Sequence, residues 1–239
     1  MFKLPFNYQI TTSSRARNAR IRVSPGKVEV VIPAGACESG VHRFLAAKQD
    51  WVLAALKRLE AKAQGTQSLA PDFYGEGARI PFQGKTYPLS ISSTTLKNIK
   101  IEFTGQFIAA VPEVLLSRDY SDEIRAALIR WFKRQAGVQA GQMVQKHTDR
   151  HQLRPRSIKI KTQKSRWGSC GIHNDISINW LLILAPREVF EYVVVHELCH
   201  IKVRNHSSAF WALVAAHLPA YQQQRRWLKE QGGSLMLGL

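Results

Sequence analysis

The chain has 239 residues, 45% hydrophobic and 21% charged, a composition that fits a folded protein with a sizeable core and excludes a disordered or fibrous one. No apolar run reaches the ~20 residues needed to span a bilayer, the N-terminus carries no apolar signal core, and three widely spaced cysteines, Cys37, Cys170 and Cys199, argue against a disulfide framework, so a cytosolic, reducing location is expected. The 34 lysines and arginines outnumber 17 acidic residues, and the net charge of +17 either draws polyanions such as nucleotides and nucleic acid or merely serves solubility.

The first part of the chain reads as β-rich with one long helix. ARIRVSPGKVEVVIP (19–33) alternates apolar and polar residues around Pro25-Gly26, a hairpin signal. Residues 41–64 place Val41, Phe44, Leu45, Val52, Ala55, Leu56 and Leu59 on one helical face, with a stop expected at Gly65. Two more hairpins are expected over 78–92 and 98–112, turning at Gln83-Gly84-Lys85 and at Thr104-Gly105. Ser117 can cap a helix running to about Lys146, with Ile124, Leu128, Trp131, Phe132 and Val138 facing inward. SIKIKTQ (157–163) and DISINWLLIL (175–184) read as strands joined by WGSCGIHN. A helix follows from Pro186, whose missing N–H has no partner to lose in a first turn. A short helix after Ser207 and a last one near 220–230, stopped by Gly232-Gly233, end the chain. The expected class is α+β, divided into 1–115 and 116–239.

The stretch that carries chemistry is HELCHIKVRNH (196–206). On a helix, His196 and His200 lie one turn apart on one face, where two imidazoles can reach one metal ion. Glu197 points to the flank of that face, placed to hold a water and to act as general base. Zinc asks for a third protein ligand and one open position. His206 supplies it only if the chain bends between 201 and 205, and Asn205 is the candidate for the bend because asparagine tolerates left-handed backbone angles. Glu230, His173 and His217 are the rival third ligands. HExxH also occurs by chance, but this helix is flanked by Val193–Val195, Ile201 and Val203 and looks buried, where unpaired histidines and a glutamate are costly. Cys199 reads as a small buried hydrophobe, and Phe210 and Trp211 as core that fixes the bend.

SRWGSCG (165–171) is the second informative stretch. Gly168 lets the backbone turn or a ligand approach closely, and Arg166 can stabilise an oxyanion or bind a phosphate. Trp167 and Cys170 read as packing.

HELCHIKVRNHSSAFW (196–211) together with SRWGSCG resembles the YgjP-like metal-dependent hydrolase family, close to the SprT-like and Wss-type zinc metallopeptidases. The resemblance extends to SRARNARIRVSPGKVEVVIP, the helix bearing Trp51 and the tail PAYQQQRRWLKEQG (219–232). It implies a zincin-like catalytic domain over 116–239, behind an N-terminal hairpin-and-helix region, with zinc on His196, His200 and His206 and Glu197 as acid/base. It implies a metallopeptidase and leaves the substrate open. A pyrophosphatase acting on UTP is one alternative. A nucleic-acid-associated protein, either a DNA-guided protease or a non-enzymatic basic zinc module, is another.

Overall fold

The computed structural model describes residues 4–24, 26–36, 39–64, 67–151 and 153–239. Pro25 of the first expected turn, Cys37 and the helix stop expected at Gly65 lie outside them. The described residues form two compact units, Met1–Gln67 and Ser68–Leu239, with six helices and three small mixed sheets. The architecture is α+β.

In the first unit, strand β1 (Tyr8–Ser13) runs parallel to β3 (Lys27–Pro33), which pairs antiparallel with β2 (Arg20–Ser24). The β2–β3 hairpin is the expected one, and β1 was not anticipated. Val30 and Ile32 on β3 bury against Val41 and Leu45. The single expected helix is two, α1 (Ser39–Ala46) and α2 (Gln49–Gln64). Lys48 N–H donates to Leu45 O at 3.0 Å, three residues back, which tightens the first helix at its end before α2 restarts.

The second unit has one large core. Strands β4 (Arg79–Phe82), β5 (Lys85–Thr94), β6 (Lys100–Phe103) and β7 (Phe107–Pro112) form the two expected hairpins, joined by a parallel β5–β7 pairing in the order β4-β5-β7-β6. Gln83 and Gly84 both take positive φ, 50° and 76°, as a two-residue hairpin turn demands. Helix α3 (Ser121–His151) lies along these strands, with Phe82, Phe107, Trp131 and Phe132 in mutual ring contact at 5.3–6.0 Å. The 115/116 boundary thus falls inside this unit. The helix begins four residues after the expected cap at Ser117, where Ser121 N–H donates to the Asp119 carboxylate at 2.9 Å. Val138, expected inward, is 52% exposed because it falls off the buried stripe of Phe132, Ala136 and Ala140.

Three short strands frame the region of the histidine motif: β8 (Ser157–Lys161), β9 (Gly168–Cys170) and β10 (Asp175–Asn179), ordered β8-β10-β9. The segment expected to be a plain connector contains β9. The strand expected to reach 184 stops at Asn179, whose side chain accepts from Leu181 N–H at 3.3 Å and opens a 3-10 turn over Trp180–Leu184. Helix α4 (Arg187–Cys199) follows Pro186, then α5 (Ser208–His217) and α6 (Tyr221–Leu237). Helix α6 runs through Gly232 and Gly233 without stopping, because Gly232 is buried against Trp167; a Cβ there would stand 3.2 Å from the indole. Close packing outweighs the helical cost of glycine.

Candidate metal centre

Helix α4 presents the motif. Its apolar residues Val193, Val194, Val195, Leu198 and Cys199 are all buried, so the helix is locked by its own core face. The helix ends at Cys199, with His200 as its C-cap. The chain then turns rather than continuing. Ile201 N–H donates to Leu198 O at 2.9 Å and Val203 N–H to Cys199 O at 2.9 Å.

Asn205 contributes to the turn differently from expectation. The only described non-glycine residues at positive φ are Gln83 and Asn174. Asn205 instead accepts Ser207 N–H through its side chain at 3.3 Å, which leads into α5. Arg204 supplies a further restraint, one not expected from the sequence. Its guanidinium donates to Gly171 O at 2.8 Å, to Ile172 O at 3.4 Å and to Asn174 Oδ1. The loop that carries His206 is thereby tied to the turn between β9 and β10.

With that turn made, His206 joins the pair. One ligand atom from each of His196, His200 and His206 lies within 4.8 Å of the others, and ring centroids stand 4.8–5.0 Å apart. His196 and His206 face each other Nε2 to Nε2 at 3.1 Å. Phe210, fully buried, sits 4.5–4.9 Å from all three imidazoles and forms their floor. Trp211 stacks on His206 at 5.7 Å. The rival third ligands are not part of this group: His217 is buried against His147, while His173 and Glu230 are exposed.

The donor set fits a divalent transition ion. Burial, followed by the neighbouring His200, His206 and Arg225, pulls His196 down to about 3, so it stays neutral, the form that ligates. Burial also lowers His200, against the opposing bond to Val203. That bond, His200 Nδ1–H to Val203 O at 3.0 Å, fixes the tautomer and leaves Nε2 as the free lone pair. His196 departs from this pattern, since its Nδ1 is buried with no hydrogen-bond partner among the described residues.

Glu197 is 6% exposed. Burial lifts its carboxyl to about 7, against a downward pull from Arg166. Among the described residues its electrostatic partner is Arg166. Gly168 on β9 packs directly on it; a Cβ there would come within 2.6 Å of Glu197 Cγ and Oε1. The close approach expected at this glycine is therefore made by the glutamate. Arg166 is exposed, two residues before β9, and its charge opposes the rise of Glu197. Trp167 packs on Gly232, as expected. Cys170 is half-buried under Arg204, and burial raises its thiol. Cys199 is fully buried and pushed up to about 12, which fits an inert core residue. Tyr192 packs edge-on against His196 at 5.9 Å and is pushed by burial to about 12.

Among the described residues no helix is long and apolar enough to cross a membrane. The family model described as YgjP-like, metallopeptidase domain, matches residues 17–231. No curated protein matches the chain. A solved structure, the crystal structure of the metallopeptidase zymogen of Pyrococcus abyssi abylysin, aligns at a TM-score of 0.35 with 21% identity, over 38% of this chain and 95% of that one; a likeness at this level carries no weight.

Proposed function

We propose, from the premise that this chain belongs to the YgjP-like metallopeptidase-domain family, that it is a zinc-dependent peptide hydrolase with a zincin-like catalytic domain, in which His196, His200 and His206 hold the ion and Glu197 is the general base. The single observation that carries this reading is the convergence of three imidazoles beside a buried carboxylate. A zinc ion bound there would supply Lewis-acid polarisation of a carbonyl and a lowered pKa for water.

The protein's own groups do the rest. The neutral imidazoles present lone pairs, with His200 oriented by Val203 O. Glu197 takes a proton from the attacking water and passes it to the leaving amine. Among the described residues β9 pairs with β10 alone and is an edge strand, so its outer side can align an extended peptide by backbone hydrogen bonds. Gly168, at the start of that strand, lets the carboxylate sit against the backbone. Arg166 would stabilise charge developing on the carbonyl oxygen.

Zinc-loaded wild type and Glu197→Gln, incubated with an unfolded protein and read by mass spectrometry, test this. Cleavage by wild type, and its loss in the variant at unchanged zinc content, is the expected result. Equal cleavage by both removes Glu197 from the mechanism. UTP in the same assay probes the nucleotide reading.

A further inference from the structure

The centre is ringed by arginines. Arg204 is consumed by the carbonyls of the β9–β10 turn. Arg225 is not consumed. It rises from the exposed face of α6, and its Cζ lies over the Trp211 indole, 4.4 Å from the ring centroid. Trp211 in turn contacts the rings of His196 at 5.9 Å and His206 at 5.7 Å, and stacks on Tyr221 at 5.4 Å. One indole therefore joins two of the candidate ligands to one guanidinium. Among the described residues none takes a hydrogen bond or an ion pair from Arg225.

An arginine held over an aromatic ring loses little further side-chain freedom on binding and keeps its N–H donors for another group. The complementary group is a planar oxyanion, which a guanidinium takes in bidentate fashion. Among the described residues the carboxylate at the centre is that of Glu197, buried against β9. The anion must then arrive with the substrate. We infer that Arg225, fixed on Trp211, is a specificity-determining residue that receives a carboxylate side chain of the substrate peptide beside the scissile bond, so that the enzyme prefers acidic segments. This rests on the metallopeptidase reading.

The test uses zinc-loaded full-length Glu197→Gln, so that binding is read without turnover. The probes are blocked peptides in which one glutamate walks through a neutral sequence, each with its glutamine twin, and UTP. At one glutamate position the acid binds about tenfold or more tightly than its amide twin, the worth of one charge-assisted pair. Adding Arg225→Gln brings that ratio to about one. Arg225→Lys keeps the charge but gives up the fork, and lies between. Arg226→Gln, an equal charge change on a neighbouring face of α6, leaves the ratio intact. Equal binding of acid and amide at every position overturns the inference alone. So does a preference that survives Arg225→Gln, or one that Arg226→Gln removes as fully. UTP binding that depends on Arg225, with acid and amide peptides alike, also overturns it. Failure of every peptide to bind at all takes the metallopeptidase reading down with it.

Discussion

Gly168 and Glu197 are in contact across the β9–α4 interface so closely that a single methyl on the glycine would stand 2.6 Å from the glutamate's Oε1. Gly168 has an ordinary backbone angle, so Gly168→Ala strains nothing locally. The flexible carboxylate must give way instead. Gly168→Ala is expected to keep the fold and the zinc while turnover falls on the order of 100-fold, the usual effect of moving a catalytic group by about an ångström. Circular dichroism, zinc content and turnover measured together check this.

Arg204 holds the loop between His200 and His206 through three carbonyl-type acceptors on 171–174. Arg204→Gln frees that loop. Zinc affinity is expected to weaken by about 10–100-fold, as for loss of an outer partner of a ligand, with the melting profile of the rest of the unit little changed. Competition against a chromophoric chelator measures it.

Glu197 gives a pH signature in the metal-free protein. Its carboxyl is raised by burial from 4.5 to about 7. The folded state therefore binds the proton more tightly than the unfolded state. This stability is fully present below about pH 4.5 and is lost as pH rises through about 7. The difference is on the order of 3 kcal/mol. Chelator-treated wild type should lose stability relative to Glu197→Gln between pH 5 and 8 in urea titrations, and zinc should abolish the trend because the cation favours the ionised carboxylate.

The β4–β5 turn supports the start of the motif helix. Gln83 and Gly84 donate to Ile183 O and Leu184 O at 3.0 and 2.8 Å, and a Cβ on Gly84 would meet Pro186 Cγ at 2.8 Å. Gly84 also has φ +76°. Gly84→Ala is expected to cost about 2 kcal/mol or more in denaturant unfolding, through backbone strain and overpacking.

The same contacts explain what could be read from the residues alone. Helices with one apolar stripe and hairpins with positive-φ turns were legible, because the signal sits within a few residues. The histidine spacing was legible too, including the need for a bend before His206. The devices that make the bend were not. Arg204 acts on residues thirty and more positions away, and Asn205 acts through its side chain where a left-handed backbone was expected. β9 is Gly-Ser-Cys, with no β-branched or aromatic residue, and exists because β10 pairs with it. Gly232 looked like a helix stop because nothing in its neighbourhood announces Trp167. Gly168 was marked for a close approach, but its partner was visible only in three dimensions.

The proposed function stands on one zinc ion held by three imidazoles. Anomalous diffraction at the zinc edge from crystals of the zinc-loaded protein tests it directly. One peak per chain is expected, about 2.0–2.1 Å from a nitrogen of each of His196, His200 and His206, with no fourth protein ligand. A peak elsewhere, or one whose coordination omits His206 or includes a fourth side chain, would contradict it.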